Sequence, residues 1–239
     1  MHAFATSDLT GRYDDVLRGL GQRGHGLGCH AESHEVEYLS SRSETWQRDM
    51  IARATRLLER ATGKRPDTFR APNFSANGAT VRALASARYR LDSSVLPGRV
   101  VRRGRTVKIL DFRSAPRDPY VADARDPGRP GHSGVLEFPV TENPDALGGP
   151  IGLGYLNSRG VDATLDAISR SLGETCVFLI HPWEFVDPPD GRVPAWMREA
   201  CRGDESRLEV FLTRLAREHD VTTLTDEAKG FLPAQRSPR

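Results

Sequence analysis

The sequence has little of several features that define large classes of protein. Its three cysteines are scattered and form no C-x-x-C pair, which argues against a disulfide scaffold and a structural zinc–thiolate site. No apolar run approaches the roughly 20 residues of a membrane span. Charge of one sign is not in excess either, because 34 Lys and Arg offset 32 Asp and Glu. That balance excludes a strongly basic nucleic-acid binder and a charge-dominated disordered chain.

The chain has enough length and apolar content for one globular domain. It contains 239 residues, of which 38% are hydrophobic, and these suffice for one sizeable core. We expect a single domain over residues 1–228 and a frayed tail over 229–239. The first residues lack the basic and apolar regions of a signal peptide, so the sequence as given predicts a cytoplasmic protein. Its oligomeric state is left open.

Segments typical of strands alternate with segments typical of helices along most of the chain. The longest helix is predicted over 43–61, with Ser43 as N-cap and Gly63 as terminator. Further helices are predicted over 13–20, 78–86, 162–171 and 207–218, and strands over 2–6, 25–30, 68–72, 89–94, 135–140, 176–180 and 221–224. This alternation predicts an α/β fold with a parallel sheet or barrel.

Residues 98–134 depart from this pattern. They are rich in Arg, Pro, Asp and Gly and poor in large apolar residues. We predict a long excursion or lid here, with one small strand over 107–112.

Two histidines four residues apart follow the glycine-rich strand 25–30. On a helical turn this spacing places the imidazoles of His30 and His34 on one face, within reach of one metal ion. Such a pair also arises by chance, but α/β proteins assemble their sites at the carboxyl ends of strands. Glu32 does not occupy the position of the glutamate in H-E-x-x-H proteases, which directly follows the first histidine.

Polar residues also end three other predicted strands. His181 follows the apolar strand 176–180 and precedes Trp183, a combination suited to the wall of a sugar-sized cleft. Arg70 is either a surface cation or one that orients a catalytic carboxylate. Asp92 is either a helix N-cap or a carboxylate of the site.

Four segments, in this order, resemble motifs of the polysaccharide deacetylase family, also called the NodB-homology or carbohydrate esterase 4 group. They are residues 24–34, 69–72, 89–94 and 179–184. The combination of 69–75, 92–94, 136–139 and 181–184 is most similar to the branch found beside exopolysaccharide-export genes, and the Gly-rich aromatic segment 152–155 also matches that branch. The resemblance covers nearly the whole chain, to about Leu224.

The resemblance implies a distorted (β/α) barrel and removal of N-acetyl groups from an amino sugar in a glycan or glycolipid. It implies that His30 and His34 bind a divalent metal, preferably zinc, and that His181 is the general acid. The expected partner is therefore an N-acetylated carbohydrate, with no nucleic acid.

The resemblance also implies supporting roles for other residues. Arg70 and Asp92 would form a charge network beside the catalytic groups. Trp183, Tyr155 and Pro72 would bind the substrate.

The chain departs from the family at its first motif, a strand ending in paired carboxylates, one a metal ligand and the other the general base. No such strand precedes 2–6, so we expect that the sequence given starts at an internal methionine and lacks the first strand. Asp14 and Asp15 imitate the pair but fall in the middle of the first predicted helix. Asp8, at the end of strand 2–6, is better placed as a substitute.

Two other functions remain open. The first is a metal-independent amidohydrolase on the same scaffold, against which stoichiometric zinc would count. The second is a non-catalytic glycan- or partner-binding remnant, which would bind carbohydrate without releasing acetate.

Overall fold

The computed structural model describes residues 1–34, 38–103, 107–146, 148–171, 173, 175–186 and 203–231. Its strands are β1 His2–Ala5, β2 Gly26–Cys29, β3 Thr68–Phe69, β4 Leu91–Asp92, β5 Val100–Arg103, β6 Val107–Asp111, β7 Tyr120–Val121 and β8 Leu136–Glu137. Its α-helices are α1 Asp14–Gln22, α2 Glu44–Thr62, α3 Gly78–Ser86, α4 Leu153–Arg159, α5 Val161–Arg170, α6 Glu205–Glu218 and α7 Leu224–Glu227. No helix in these ranges is long and apolar enough to cross a membrane.

One mainly parallel sheet organises the molecule. Its strand order is β1-β2-β3-β4-β8-β7, with parallel pairing from β1 to β8 and antiparallel pairing of β7 with β8. Helices α1, α2 and α3 connect the parallel strands from β1 to β4, which confirms the predicted α/β fold. In the described ranges the ladders form an open sheet with β1 and β7 at its edges. The expectation that a further strand precedes β1 stays a prediction.

The helices with clear end signals form where the sequence predicts them. The Ser43 hydroxyl accepts a hydrogen bond from the Trp46 amide at the start of α2, and Gly63 ends the helix in the left-handed region at φ 74°. Asn77 begins α3 by accepting from the Thr80 amide, while the Thr80 hydroxyl accepts from the Asn77 amide. The two helices pack on the same side of the first strands and bury their apolar faces there.

The glycines of β2 let side chains of β1 reach β3 across it. A Cβ at Gly28 would lie 2.6 Å from the Phe4 ring and would also collide with the Thr68 hydroxyl. In this space Nε2 of His2 lies 2.7 Å from the Thr68 hydroxyl, and the Arg70 guanidinium lies over the Phe4 ring, 4.3 Å from its centre. Because β2 has two glycines, side chains of β1 contact β3 across it. These contacts join the three strands close to the carboxyl ends that carry the polar residues.

The apolar segment 176–180 does not form the predicted strand, although several hydrogen bonds join it to its neighbours. The Val177 amide donates to the Thr141 hydroxyl, which replaces a strand partner. Leu179 forms a single parallel bridge with Gly152, where a Cβ would meet the Leu179 carbonyl. Val177 packs in one core cluster, while Phe178 and Ile180 pack against another. The segment thus contacts apolar side chains on both faces, as its composition suggests.

The predicted strand over 221–224 is wrong. The Thr223 hydroxyl accepts a hydrogen bond from the Asp226 amide and begins the short helix α7. A polar cap therefore outweighs the β-propensity of Val221 and its neighbours. The tail is not frayed from its first residue, because Phe231 packs edge-on against Phe138 at 5.7 Å. Residues 232–239 lie outside the described residues.

Residues 98–134 are joined to the main fold at several points. They contain an antiparallel hairpin of β5 and β6 where a single strand was predicted. Leu110 and Phe112 are buried with Val95, and β7 pairs with β8 in the main sheet. The segment is thus anchored in the core at both its hairpin and its β7 end. A lid function for it stays a prediction.

Substitution of Gly28 tests the side-chain contact between β1 and β3 across β2. We expect Gly28→Ala to lower the free energy of unfolding by about 1–3 kcal/mol, because the added methyl collides with Phe4 and Thr68. In the matched control Gly21→Ala, the methyl meets no atom within 4 Å near the end of α1. That control should be neutral or stabilising by up to about 1 kcal/mol. Urea unfolding of both variants measures the difference, and equal stabilities would contradict the packing described.

Candidate active site

The carboxyl ends of neighbouring parallel strands bring the candidate residues to one edge of the sheet. His30 directly follows β2, Arg70 directly follows β3, and Asp92 is the last residue of β4. The pairing of Cys29 with Phe69 and of Phe69 with Asp92 sets these three positions at one level. Parallel sheets collect polar groups from separate parts of a chain in this way.

His30 and His34 converge through their Nε2 atoms, which lie 2.8 Å apart. Nδ1 of His30 lies 2.6 Å from the Arg70 carbonyl oxygen, so Nδ1 carries a proton and donates it, leaving a lone pair on Nε2. Burial lowers the pKa of His30 to about 3, and burial followed by the charge of His181 also lowers the pKa of His34. Two neutral imidazoles, one of them anchored through its second nitrogen, are typical of metal ligands.

The two histidines meet without the helical turn that their spacing suggests. Residues 30–34 form no helix, and Ala31 lies in the left-handed region at φ 64°. This conformation is unfavourable for alanine and is held here by the Ser7 amide, which donates to the Ala31 carbonyl at 3.1 Å. Glu32 forms a two-point ion pair with Arg53, with both N···O distances 2.6 Å. Its carboxylate is thereby engaged away from the histidine pair.

The donor chemistry of this pair fits the divalent ion that the family resemblance implies. Imidazole nitrogens are common zinc ligands, and the Arg70 carbonyl fixes the tautomer that exposes Nε2 of His30. In the described ranges, no three His, Cys, Asp or Glu side chains form a ready metal-binding group. The structure therefore presents two ligands, and a third requires a side-chain movement or a residue outside those ranges.

Arg70 is buried below the histidine pair and is not a surface residue. Its guanidinium is buried and donates to the backbone carbonyl and to the hydroxyl of Ser93, at 2.8 and 2.7 Å. Burial lowers the pKa of Arg70 to about 10, although the charges of Glu137 and Asp92 oppose the shift. The surface alternative for this residue is wrong. Its backbone carbonyl orients His30, while its side chain joins the ends of β3 and β4.

Asp92 belongs to a buried carboxyl pair with Glu137, a residue to which the sequence alone assigns no role. Asp92 accepts hydrogen bonds from the Ser93 amide and the Ser94 hydroxyl, and one oxygen of Glu137 accepts from the Ser94 and Val95 amides at 3.0 and 2.8 Å. The second oxygen of each carboxyl is buried and has no hydrogen-bond partner among the described residues. Burial raises the pKa of Asp92 to about 6 and, with the Asp92 charge, raises that of Glu137 well above its usual range. Raised pKa values of this kind are expected when two neighbouring buried carboxyls hold one proton between them, which leaves a single negative charge to balance Arg70. The helix N-cap alternative for Asp92 is wrong.

His181 is held by Glu184, the second residue that the sequence alone leaves without a role. The Glu184 carboxylate accepts from the His181 amide at 2.6 Å and lies 3.3 Å from its Nδ1 atom. Glu184 is buried, whereas Trp183 is 37% exposed and stacks on the His181 ring at 5.1 Å. This arrangement leaves Nε2 of His181 available to a ligand. The charge of His181 also acts on both His30 and His34, so the three imidazoles form one neighbourhood.

The remaining predicted residues differ in how they are placed. Pro72 is buried and begins a turn in which Asn73 and Phe74 both have left-handed φ values, 55° and 57°. Strained backbone of this kind is concentrated at functional sites. Tyr155 is only 8% exposed on α4 and donates its hydroxyl to Asp145 at 2.6 Å. A substrate-binding role for either residue stays a prediction.

Asp14 and Asp15 lie apart from the site. They are the first two residues of α1, not its middle as predicted. Asp14 accepts from the Gly11 amide at 2.8 Å and Asp15 pairs with Arg18 at 2.6 Å. Both carboxylates therefore serve the start of the helix, where negative charge is favourable.

The fold and these groups define an α/β protein with a histidine-rich candidate catalytic site at the carboxyl edge of its parallel sheet. The family model described as polysaccharide deacetylase matches residues 1–91. The match includes His30, His34 and Arg70 and ends before the segment of His181. It supports the family to which the sequence motifs point. No curated protein matches the chain.

Solved structures similar to the chain share its fold at low sequence identity. A protein assigned as a polysaccharide deacetylase from Mycobacterium smegmatis has a TM-score of 0.58 at 18% identity, with 100% of this chain and 75% of that one covered. The PuuE allantoinase gives 0.55 at 16%, with 97% and 67% covered. A family 4 carbohydrate esterase pseudoenzyme from Bacillus anthracis gives 0.52 at 13%, with 94% and 54% covered. The chain thus spans about half the length of that pseudoenzyme.

Substitution of Glu137 tests the shared proton. Glu137→Gln keeps an oxygen that accepts from the Ser94 and Val95 amides. We therefore expect it to change the free energy of unfolding at neutral pH by less than about 1 kcal/mol. Glu137→Met removes both acceptors at similar volume and should cost about 2–5 kcal/mol. Urea unfolding of the three proteins provides the comparison.

The same proteins test the pH dependence of the pair. Because the folded-state pKa of Glu137 is raised, its protonated form stabilises the protein fully below the pKa of a free carboxyl and progressively less as pH rises through the raised value. Between about pH 5 and pH 8 the unsubstituted protein should therefore lose more stability than Glu137→Gln. Parallel pH profiles would contradict the shared proton.

Proposed function

We propose that the chain belongs to the polysaccharide deacetylase family and is a metal-dependent hydrolase. Its proposed substrate is an N-acetylated amino sugar in a glycan or glycolipid, and its proposed ion is zinc. The observation that carries the proposal is the convergence of two neutral imidazoles, 2.8 Å apart, with the His181 ring as their neighbour. The order of the sequence motifs favours the branch found beside exopolysaccharide-export genes.

His30 and His34 would hold the ion through their Nε2 atoms. The Arg70 carbonyl keeps the Nδ1 proton of His30 in place, so the lone pair on Nε2 faces His34 without reorganisation. When bound, a divalent ion supplies Lewis acidity, which polarises the acetamide carbonyl and makes a water molecule more acidic. Burial keeps His30 neutral and therefore able to bind a cation.

His181 would act as general acid. Amide hydrolysis requires a proton on the departing amine, and Nε2 of His181 is the nitrogen left free when Nδ1 faces Glu184. Glu184 fixes the ring from one side and the Trp183 ring stacks on it from another. The exposed indole of Trp183 also offers an apolar face of the kind on which sugar rings pack.

Replacement of His181 tests the acid. We expect His181→Ala to slow acetate release from N-acetylglucosamine oligomers by about 10²–10⁴-fold at unchanged zinc content, because the amine then leaves unprotonated. His132→Asn alters an exposed histidine far from the proposed chemistry in sequence and should retain full activity. Undiminished acetate release by His181→Ala would refute its role.

The same assay separates the proposal from its alternatives. Acetate release that chelation abolishes and zinc restores supports the metal-dependent deacetylase. Hydrolysis of a small cyclic amide that survives chelation would favour the metal-independent amidohydrolase. Oligosaccharide binding without acetate release at any zinc concentration would favour a non-catalytic binding protein.

A further inference from the structure

A half-buried arginine borders two of the loops that form the candidate site. Arg99 lies in the segment after β4, and its guanidinium lies over the ring of Phe74, 5.6 Å from the ring centre. Phe74 belongs to the strained turn after β3. The charge of Tyr38, which follows His34 in the segment after β2, also acts on Arg99. Because parallel strands end at a common edge, Arg99 lies at the edge that carries the catalytic candidates.

The backbone of Arg99 is held from three directions. Its amide donates to the Leu96 carbonyl at 3.1 Å, and its carbonyl accepts from the Phe112 amide at 2.8 Å at the base of the β5–β6 hairpin. Gly148 packs directly against it, since a Cβ at Gly148 would lie 2.9 Å from the Arg99 Cα atom. The fold therefore sets the origin of this side chain, and the Phe74 ring restricts its direction.

The guanidinium of Arg99 lacks a balancing charge. Its Nη1 atom donates to the Gly148 carbonyl in a long bond of 3.5 Å, and its buried Nε atom has no hydrogen-bond partner among the described residues. Glu142, which lies against Gly98, is engaged elsewhere, because its two oxygens accept from the Gly148 amide and from Arg117. No carboxylate of the described residues is among the charges that act on Arg99, and burial lowers its pKa.

A partly desolvated cation with spare donors is suited to bind an anion. Guanidinium N–H groups donate in parallel to two oxygens of a carboxylate or a phosphate. Arg99 is partly exposed, so a ligand reaches it from solvent. We propose that Arg99 binds an anionic group of the glycan, either the carboxylate of an acidic sugar or a phosphate substituent. The inference rests on the proposed function for the glycan and makes that glycan an acidic one.

Removal of the anion from the ligand tests this inference on the unsubstituted protein. The first ligand is a tetrasaccharide of alternating N-acetylglucosamine and glucuronic acid, and its control is the same tetrasaccharide with the carboxyl groups reduced to alcohols. The second is an N-acetylglucosamine tetramer with and without a phosphate at its reducing end. By calorimetry, we expect loss of the anion to weaken binding by about tenfold or more in one of the two pairs. The pair that responds identifies the anion.

Substitution of Arg99 assigns the preference to this residue. Arg99→Gln keeps hydrogen-bond donors but removes the charge, so it should bind the charged and neutral members of each pair with equal affinity. Arg56→Gln is the matched control, because it removes an exposed arginine of α2. That control should keep the preference of the unsubstituted protein. Urea unfolding of both variants shows whether they retain the fold.

The outcomes separate this inference from the proposed function. Equal affinity of the unsubstituted protein for charged and neutral ligands in both pairs overturns the anion site, as does a preference that persists in Arg99→Gln or a failure to bind any oligosaccharide. Acetate release from the neutral tetramer would still support the proposed hydrolysis in the first two cases. A preference that depends on Arg99, without acetate release at any zinc concentration, supports the anion site and contradicts the hydrolysis.

Discussion

The hydrogen bond from Nδ1 of His30 to the carbonyl oxygen of Arg70 connects the candidate site to the sheet beneath it. It joins the ends of β2 and β3, fixes the ring of His30, and determines which nitrogen has a free lone pair. The geometry of this bond depends on the close approach of three strands. Gly28 permits that approach, because any larger residue there would push Phe4 and Thr68 apart. Gly28, which takes no part in the proposed chemistry, thus helps to position His30.

Burial decides the charge state of the groups around this bond. It keeps His30 neutral, and it raises the pKa of both Asp92 and Glu137 next to the cationic Arg70. Two ionised carboxylates beside the Arg70 guanidinium would leave one buried negative charge unbalanced. A single proton on the carboxyl pair leaves one negative charge opposite one positive charge. The polar layer under the histidines is therefore close to electrically neutral.

The features of the fold that could be predicted from sequence are those with local causes. The Ser43 cap and the Gly63 terminator are read within one or two turns of chain, and α2 forms between them. The roles of Glu137 and Glu184 escaped prediction because each depends on burial, which no window of sequence displays. A charged residue inside the apolar segment 135–140 was the one available signal for the first of them.

The two histidines converge as their spacing suggests, but through a different local structure. The four-residue spacing suggested a helical turn, yet the rings meet across a loop that contains Ala31 in a left-handed conformation. Contacts with the turn after β1 stabilise that conformation, and only the folded sheet brings this turn alongside the loop. Spacing therefore identified the residues, while tertiary pairing decided their geometry.

Anomalous diffraction at the zinc absorption edge, from crystals of the zinc-loaded protein, shows whether His30 and His34 together hold the ion. We expect one strong anomalous peak within bonding distance of Nε2 of both His30 and His34, with Nδ1 of His30 still bonded to the Arg70 carbonyl. Two imidazoles in direct hydrogen-bond contact, with no anomalous peak between them at saturating zinc, would contradict it.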